Sequence, residues 1–189
     1  MIQQLVEQGY AVVDAALPAD LAQALIGTAR QQIELRAHAA GIGRQTAHAV
    51  DATVRQDSIC WLEPSDKTSA EFLAFMEQLR LQLNEQLYLG LFSYESHFVR
   101  YAPGAFYRKH RDSFRGARNR LVSTVYYLNP HWQPADAGEL VIYRDDDTVV
   151  DKVSPLHNRL VIFLSEEFPH EVLPATRERY SIAGWFRQA

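Results

Sequence analysis

The sequence predicts an α+β fold that is mainly β: a double-stranded β-helix (jelly roll) with N-terminal helices bracing one sheet. Two apolar patterns with helical spacing precede residue 92, and short β-type segments follow from about residue 93 to the end. Turn residues separate those segments at short intervals. About eight short strands after two helices are typical of a jelly roll supported on one sheet.

The N-terminal part predicts one strand followed by two helices. The apolar run Gly9–Val13 reads as a strand, and a helix begins at Leu17-Pro-Ala-Asp20 with apolar residues recurring every four positions. Ser65-Asp66 caps a second helix, whose apolar stripe runs from Phe72 to Leu87 and ends before Gly90. Residues 36–53 break the periodicity and predict a long loop, for which a functional lid and simple disorder both stay open.

The C-terminal part predicts strands divided by turn residues, after one earlier strand at Asp57–Leu62. The candidate strands are Ser96–Tyr101, Tyr107–Arg111, Leu121–Leu128, Gly138–Tyr143, Thr148–Val153, Arg159–Phe163, His170–Leu173 and Tyr180–Arg187. We therefore expect one domain over residues 1–189, with a helical support over about 1–92 and a jelly-roll core over about 93–189.

Composition and charge argue against nucleic-acid and membrane partners for this protein. At 189 residues, with 47% hydrophobic and 22% charged residues, the chain is an ordinary globular domain. Its net charge of -4 makes a nucleic-acid partner unlikely, and no apolar stretch approaches membrane-spanning length. One cysteine, Cys60, fits a reducing compartment, and the first residues lack a secretory signal pattern. We expect a cytoplasmic protein with no membrane partner.

Four residues carry a chemical pattern. His110 and Asp112 are two apart, so an extended backbone sends both side chains to the same side, and His170 offers a second imidazole. Two histidines and one carboxylate are the metal ligands of non-haem Fe(II) oxygenases. Arg179 adds a planar cation able to hold a carboxylate through two hydrogen bonds. Spacing alone leaves structural histidines open as the alternative. We expect the remaining five histidines to have other roles. His97 is expected to lie in the core with its hydrogen bonds satisfied.

Residues from about 55 to 186 resemble the prolyl 4-hydroxylase branch of the 2-oxoglutarate/Fe(II) dioxygenases. The resemblance is greatest to the hypoxia-inducible-factor prolyl hydroxylases and their bacterial relatives. It is carried by these ordered blocks: Asp57-x-Ile-x-Trp61, Tyr101-x-Pro-Gly, Tyr107-x-x-His110-x-Asp112, Val125-Tyr-Tyr-Leu-Asn129, Gly138-Glu-Leu140, Pro169-His-Glu-Val172 and Arg179-Tyr-x-Ile-x-x-Trp185.

The resemblance implies roles for these residues. His110, Asp112 and His170 would bind iron, and Arg179 would pair with the distal carboxylate of 2-oxoglutarate beside the Tyr127 hydroxyl. The expected walls of the cosubstrate pocket are Tyr101, Leu140, Val172, Val125 and Trp185. O2 would be the second cosubstrate, with ascorbate as an optional reductant. The expected substrate contacts at the entrance are Arg55, Asp57, Arg120 and Tyr107, for which ordinary surface charge and packing are the alternative.

The implied activity is hydroxylation of a prolyl residue in a protein substrate. Arg179 stands where collagen-type relatives usually carry Lys, and Ala183 stands where the hypoxia-factor branch often has Thr. Two alternatives stay open: a nucleic-acid or small-molecule oxygenase of the same superfamily, and a non-catalytic module that senses oxygen or a 2-oxo acid. Nucleic-acid demethylases carry an Arg-x5-Arg arrangement, whereas Arg187 follows Arg179 by eight residues.

Overall fold

Two antiparallel β-sheets and three helices form the fold within residues 1–40, 51–113 and 119–189, the part of the chain described by the computed structural model. The helices are α1 (Ile2–Gln8), α2 (Ala19–Arg36) and α3 (Lys67–Leu87). The strands in chain order are β1 (Tyr10–Val13), β2 (His38–Ala39), β3 (Asp57–Trp61), β4 (Ser93–Tyr101), β5 (Tyr107–His110), β6 (Val122–Tyr127), β7 (Leu140–Tyr143), β8 (Val149–Val153), β9 (Leu160–Leu164), β10 (His170–Val172) and β11 (Arg179–Arg187).

The long helices cover one face of the larger sheet. The Asp66 side chain accepts a hydrogen bond from the Ser69 backbone N–H at 2.8 Å, which caps α3 as the sequence predicts. Buried residues recur at helical spacing along α3, and the Phe72 ring lies 5.7 Å from that of Tyr126 on β6. Burial of this apolar stripe, rather than intrinsic propensity, holds the helix on the sheet.

The major sheet has the order β1-β9-β6-β11-β4-β3-β2, with β11 at its centre. β11 pairs with β4 in the register Arg179↔Tyr101 and with β6 in the register Ser181↔Tyr127. Because side chains alternate along a strand, Tyr126 packs in the helix-side core while Tyr127 packs in the core on the opposite face. Alternation along an extended strand also predicts from the sequence that Tyr126 and Tyr127 face opposite sides, and the structure confirms it.

The minor sheet has the order β5-β10-β7-β8 and lies over that second face. Apolar residues of both sheets form the core between them, including Ile142 and the fully buried Phe163. The two-sheet architecture confirms the predicted jelly roll with helices on one sheet. The sequence also favours a core position for Phe114, which lies outside the described residues.

Three features differ from the sequence prediction. α1 was not predicted, because seven residues are too few to show a periodic apolar pattern. β4 begins at Ser93, three residues before the predicted start. Within the predicted loop 36–53, β2 occupies His38–Ala39, and residues 41–50 lie outside the described chain.

Candidate active site

Two adjacent strands of the minor sheet bring His110, Asp112 and His170 together. His110 ends β5, His170 begins β10, and the two are register partners. One possible ligand atom from each of the three residues lies within 4.8 Å of the others. The two histidine Nε2 atoms lie 3.7 Å and 3.6 Å from oxygens of the Asp112 carboxylate. Three donor atoms at this separation can share one metal ion.

Hydrogen bonds outside the cluster orient each of its side chains. The Nδ1 atom of His110 lies 2.8 Å from the Arg108 carbonyl, and that of His170 lies 3.0 Å from the Phe168 carbonyl. Because a carbonyl only accepts, each Nδ1 carries the proton and each Nε2 keeps its lone pair for the cluster. Ser123 donates a 2.7 Å hydrogen bond to Asp112 Oδ2.

The electrostatics of the cluster favour metal-binding protonation states. Burial lowers the pKa of His170 to about 4, and the neighbouring His110 adds to the effect. Burial by itself raises the pKa of Asp112, but His170, His110 and Ser123 together hold that pKa well below its usual range. A neutral imidazole and an ionised carboxylate are the forms that bind a metal without first losing a proton.

A buried cation lies in the same cavity, away from the cluster. Arg179 is 1% exposed, and its Nε donates to the Gly138 carbonyl at 2.9 Å. Within the described residues, Arg179 Nη2 and the Tyr127 hydroxyl are buried without a hydrogen-bond partner. The guanidinium carbon lies 5.1 Å from the Tyr127 ring centroid and 5.2 Å from that of Tyr101. Unpartnered buried donors are costly, so this end of the cavity fits an anionic ligand.

One cavity of about 450 Å³ joins the cluster and the buried arginine. Tyr127, fully buried beside Arg179, is not among the residues that line it. The other sequence-predicted residues all line it: the cluster, Arg179, Tyr101, Leu140, Val172, Val125, Trp185, Arg55, Asp57, Arg120 and Tyr107. Apart from Tyr127, the site residues predicted from the sequence therefore line one continuous cavity.

The three charged residues predicted at the entrance are not ordinary surface charges. The Asp57 side chain is fully buried, and both of its oxygens accept hydrogen bonds from Arg55, one at 2.7 Å. The Arg120 guanidinium carbon lies 3.7 Å from the Trp185 ring centroid, and its Nη2 donates to Glu95 at 2.9 Å. Each charge is held in a fixed position beside the cavity.

His97 was missed as a site residue. It is 4% exposed and lines the cavity, and its Nδ1 has no hydrogen-bond partner within the described chain, so it is not the satisfied core residue expected. Trp61 and Trp185 flank it, with ring centroids at 5.0 Å and 5.4 Å. Burial, with a contribution from Arg55, lowers its pKa to about 4. Its spacing of four from Tyr101 on one strand could have placed it on the cavity face.

Proteins of a known family are similar to this chain in sequence and in fold. A sequence model described as the 2OG-Fe(II) oxygenase superfamily matches residues 96–187. The crystal structure of a Pseudomonas putida prolyl-4-hydroxylase superposes with a TM-score of 0.90 at 42% identity, covering 100% of this chain and 97% of that one. The chain belongs to the prolyl 4-hydroxylase family of the 2OG-Fe(II) oxygenases. Membership of this family implies Fe(II) and 2-oxoglutarate as cofactor and cosubstrate.

Two further proteins are similar over most of this chain. A Trichoplax adhaerens prolyl hydroxylase, in complex with a hypoxia inducible factor oxygen degradation domain peptide fragment, gives a TM-score of 0.86 at 25% identity over 99% of this chain and 87% of that one. Human Egl nine homolog 1 is 30% identical over 146 residues, which are 72% of this chain. The chain spans only about a third of the human protein, 34% of its length. None of the described helices has the length and apolar character needed to cross a membrane.

Proposed function

We propose that this oxygenase hydroxylates a prolyl residue of a protein substrate, consuming 2-oxoglutarate and O2 and producing succinate and CO2. The observation that carries the proposal is the buried Arg179, whose Nη2 has no hydrogen-bond partner within the described residues, in the same cavity as the His110–Asp112–His170 cluster. The similarity to prolyl hydroxylases supports the choice of a prolyl target.

In this proposal the three cluster residues hold Fe(II) through two Nε2 atoms and one carboxylate oxygen, a ligand set typical of non-haem iron oxygenases. Bound iron and 2-oxoglutarate together supply the activation of O2 that oxidises an unactivated C–H bond. The chain's own part is to present three preoriented ligands and leave the remaining coordination positions to cosubstrates. The Ser123 hydrogen bond keeps one Asp112 oxygen occupied, which favours binding through the other.

Arg179 and Tyr127 bind the distal carboxylate of 2-oxoglutarate. The carboxylate supplies the acceptor oxygens that Arg179 Nη2 and the Tyr127 hydroxyl lack. Tyr101, Leu140, Val125 and Val172 then enclose the carbon chain and exclude water. Trp185 lies six residues beyond Arg179 on β11, roughly 20 Å at the usual rise per residue, so it lies towards the other end of the cavity.

The substrate would enter at that other end. Tyr107, Arg120 and Trp185 line this part of the cavity, where aromatic rings lie beside a cation, which suits an extended peptide carrying a proline ring. Arg55 and Asp57 complete the proposed entrance. We also propose a cytoplasmic setting, supported by the single buried thiol of Cys60, with ascorbate as an external reductant.

The test measures succinate formed from 2-oxoglutarate with Fe(II), in the presence of proline-containing peptides or methylated oligonucleotides. The expected result is peptide-dependent succinate, with a gain of one oxygen mass on proline. Asp112→Ala should abolish turnover, whereas Asp146→Ala, which removes a solvent-exposed carboxylate of the β7–β8 turn, should not. Succinate that depends only on oligonucleotides would replace the prolyl proposal. Full turnover by Asp112→Ala would refute the site.

A further inference from the structure

His110 is the most weakly enclosed residue of the cluster. Its strand, β5, has four residues and lies at the edge of the minor sheet. The His110 side chain is 18% exposed, against 6% for His170, whose ring also packs at 4.8 Å against Phe163. Rotation of a histidine ring about its second side-chain torsion has broad minima, so the plane of the His110 imidazole needs support from its neighbours.

The segment 53–56 covers the open edge of β5. Arg108 N–H donates to the Val54 carbonyl at 2.9 Å, and Gln56 N–H donates to the Phe106 carbonyl at 3.0 Å. The Arg108 side chain adds a 2.8 Å hydrogen bond from its Nε to the Thr53 carbonyl. These bonds fix residue 55 directly beside Tyr107, with which it forms an isolated β-bridge.

Side chains continue this contact as a stack that ends on His110. The Tyr107 and His110 rings are nearly parallel, with centroids 3.5 Å apart and an interplanar angle of 13°. The Arg55 guanidinium carbon lies 4.3 Å from the Tyr107 centroid. Because the His110 ring and the Arg55 guanidinium are both this close to the Tyr107 ring, they must lie on opposite faces of it. Arg55 is itself held by both oxygens of the fully buried Asp57, so the stack begins at a fixed point in β3.

We propose that Arg55 and Tyr107 are positioning residues that set the plane of the His110 imidazole for metal binding, beyond the substrate contacts expected of them. The inference rests on the proposed function in taking His110 as a metal ligand. Aromatic stacking and a desolvated cation–π contact both restrict ring motion. Residues that orient metal ligands typically change metal affinity by 10- to 100-fold when replaced.

The test measures binding of Mn²⁺ alone, from the loss of its free-ion electron paramagnetic resonance signal, and needs neither substrate nor turnover. Tyr107→Leu removes the stacked ring and should weaken Mn²⁺ binding about 10- to 100-fold. Tyr107→Phe keeps the ring and should bind as the wild type does. Phe106→Leu is the matched control, because Phe106 also carries an arginine over its ring, Arg108 at 5.0 Å, but does not line the cavity.

A second variant, Arg55→Met with Asp57→Asn, removes the other end of the stack without leaving a buried charge unpaired. It should weaken Mn²⁺ binding between about 2- and 30-fold, the range that a cation–π contact implies. It carries the test alone if circular dichroism shows Tyr107→Leu to be unfolded. Wild-type affinity in either folded variant, or an equal loss in Phe106→Leu, overturns the inference. A wild-type protein that does not bind Mn²⁺ contradicts the proposed metal site itself.

Discussion

Replacing Arg179 with lysine tests how the buried guanidinium binds its anion. Lysine keeps the charge but offers a single ammonium group in place of the planar fork. In the wild type, Nε is already bonded to the Gly138 carbonyl, and Nη2 has no hydrogen-bond partner in the described part of the chain and can bind a ligand. The single ammonium group of a lysine cannot donate to both the Gly138 carbonyl and the ligand with the geometry of the guanidinium. Either the carbonyl or the ligand therefore loses a hydrogen bond.

The size of the effect follows from burial. Arg179 is 1% exposed, so water does not compensate for the lost bond. A hydrogen bond to a charged group contributes about 1.5 to 3 kcal/mol, which corresponds to a loss of roughly 10- to 150-fold in affinity for 2-oxoglutarate. Tyr127→Phe removes only the hydroxyl donor, and we expect a loss towards the lower end of that range.

The measurement is isothermal titration of 2-oxoglutarate into the Mn²⁺-loaded protein. Arg177→Lys is the matched control, because that arginine is two residues away with its side chain 43% exposed, beside Asp136. It should bind 2-oxoglutarate as the wild type does. An Arg179→Lys affinity within twofold of wild type would show that charge alone holds the ligand, and the bidentate reasoning would be refuted.

Three further predictions concern the supports of the site. Ser123→Ala frees an oxygen of Asp112 and should weaken Mn²⁺ binding about tenfold; unchanged affinity by paramagnetic resonance would contradict this. Gly138→Ala forces a side chain onto a φ of +75° with Cβ 2.8 Å from the nearest side-chain carbon, and urea titration should show a loss of about 1–3 kcal/mol. Burial lowers the pKa of His97 and His170 to about 4, so the unfolded chain protonates first on acidification. The metal-free protein should therefore lose stability from about pH 6.5 to about pH 4, by up to roughly 3 kcal/mol per histidine. His97→Leu should flatten that slope, and a flat wild-type profile in thermal unfolding would be inconsistent with it.

Sequence periodicity predicted the layers of the fold because burial acts on one face of each element. The α3 stripe shows this, and the structure confirms it. The structure also confirms the predicted strand at Tyr180–Arg187, which is central in its sheet and buried on both faces. The prediction was less accurate for short elements whose ends carry no capping or turn side chain. α1 begins at Ile2 without a side-chain cap from Met1, and β2 spans two residues within a region read as a loop.

The residues of the site were predicted better than their supports. Motif spacing nominated His110, Asp112, His170 and Arg179, which the structure places around one cavity. The stack of Arg55, Tyr107 and His110 could not be predicted, since Arg55 meets Tyr107 through an isolated β-bridge between segments that are distant in the sequence. The Ser123 bond to Asp112 likewise depends on how the sheets face each other. Such contacts belong to tertiary structure and leave no local pattern.

The central strand β11 determines how this pocket can change during evolution. Arg179, Ser181, Ala183 and Trp185 all line the cavity from alternate positions of one continuous strand. A single-residue insertion between the first and last of these would turn one end of the row towards the helices. The distance from anion site to entrance can therefore lengthen only in steps of two residues, roughly 7 Å each. Insertions in the surrounding loops are free of this constraint.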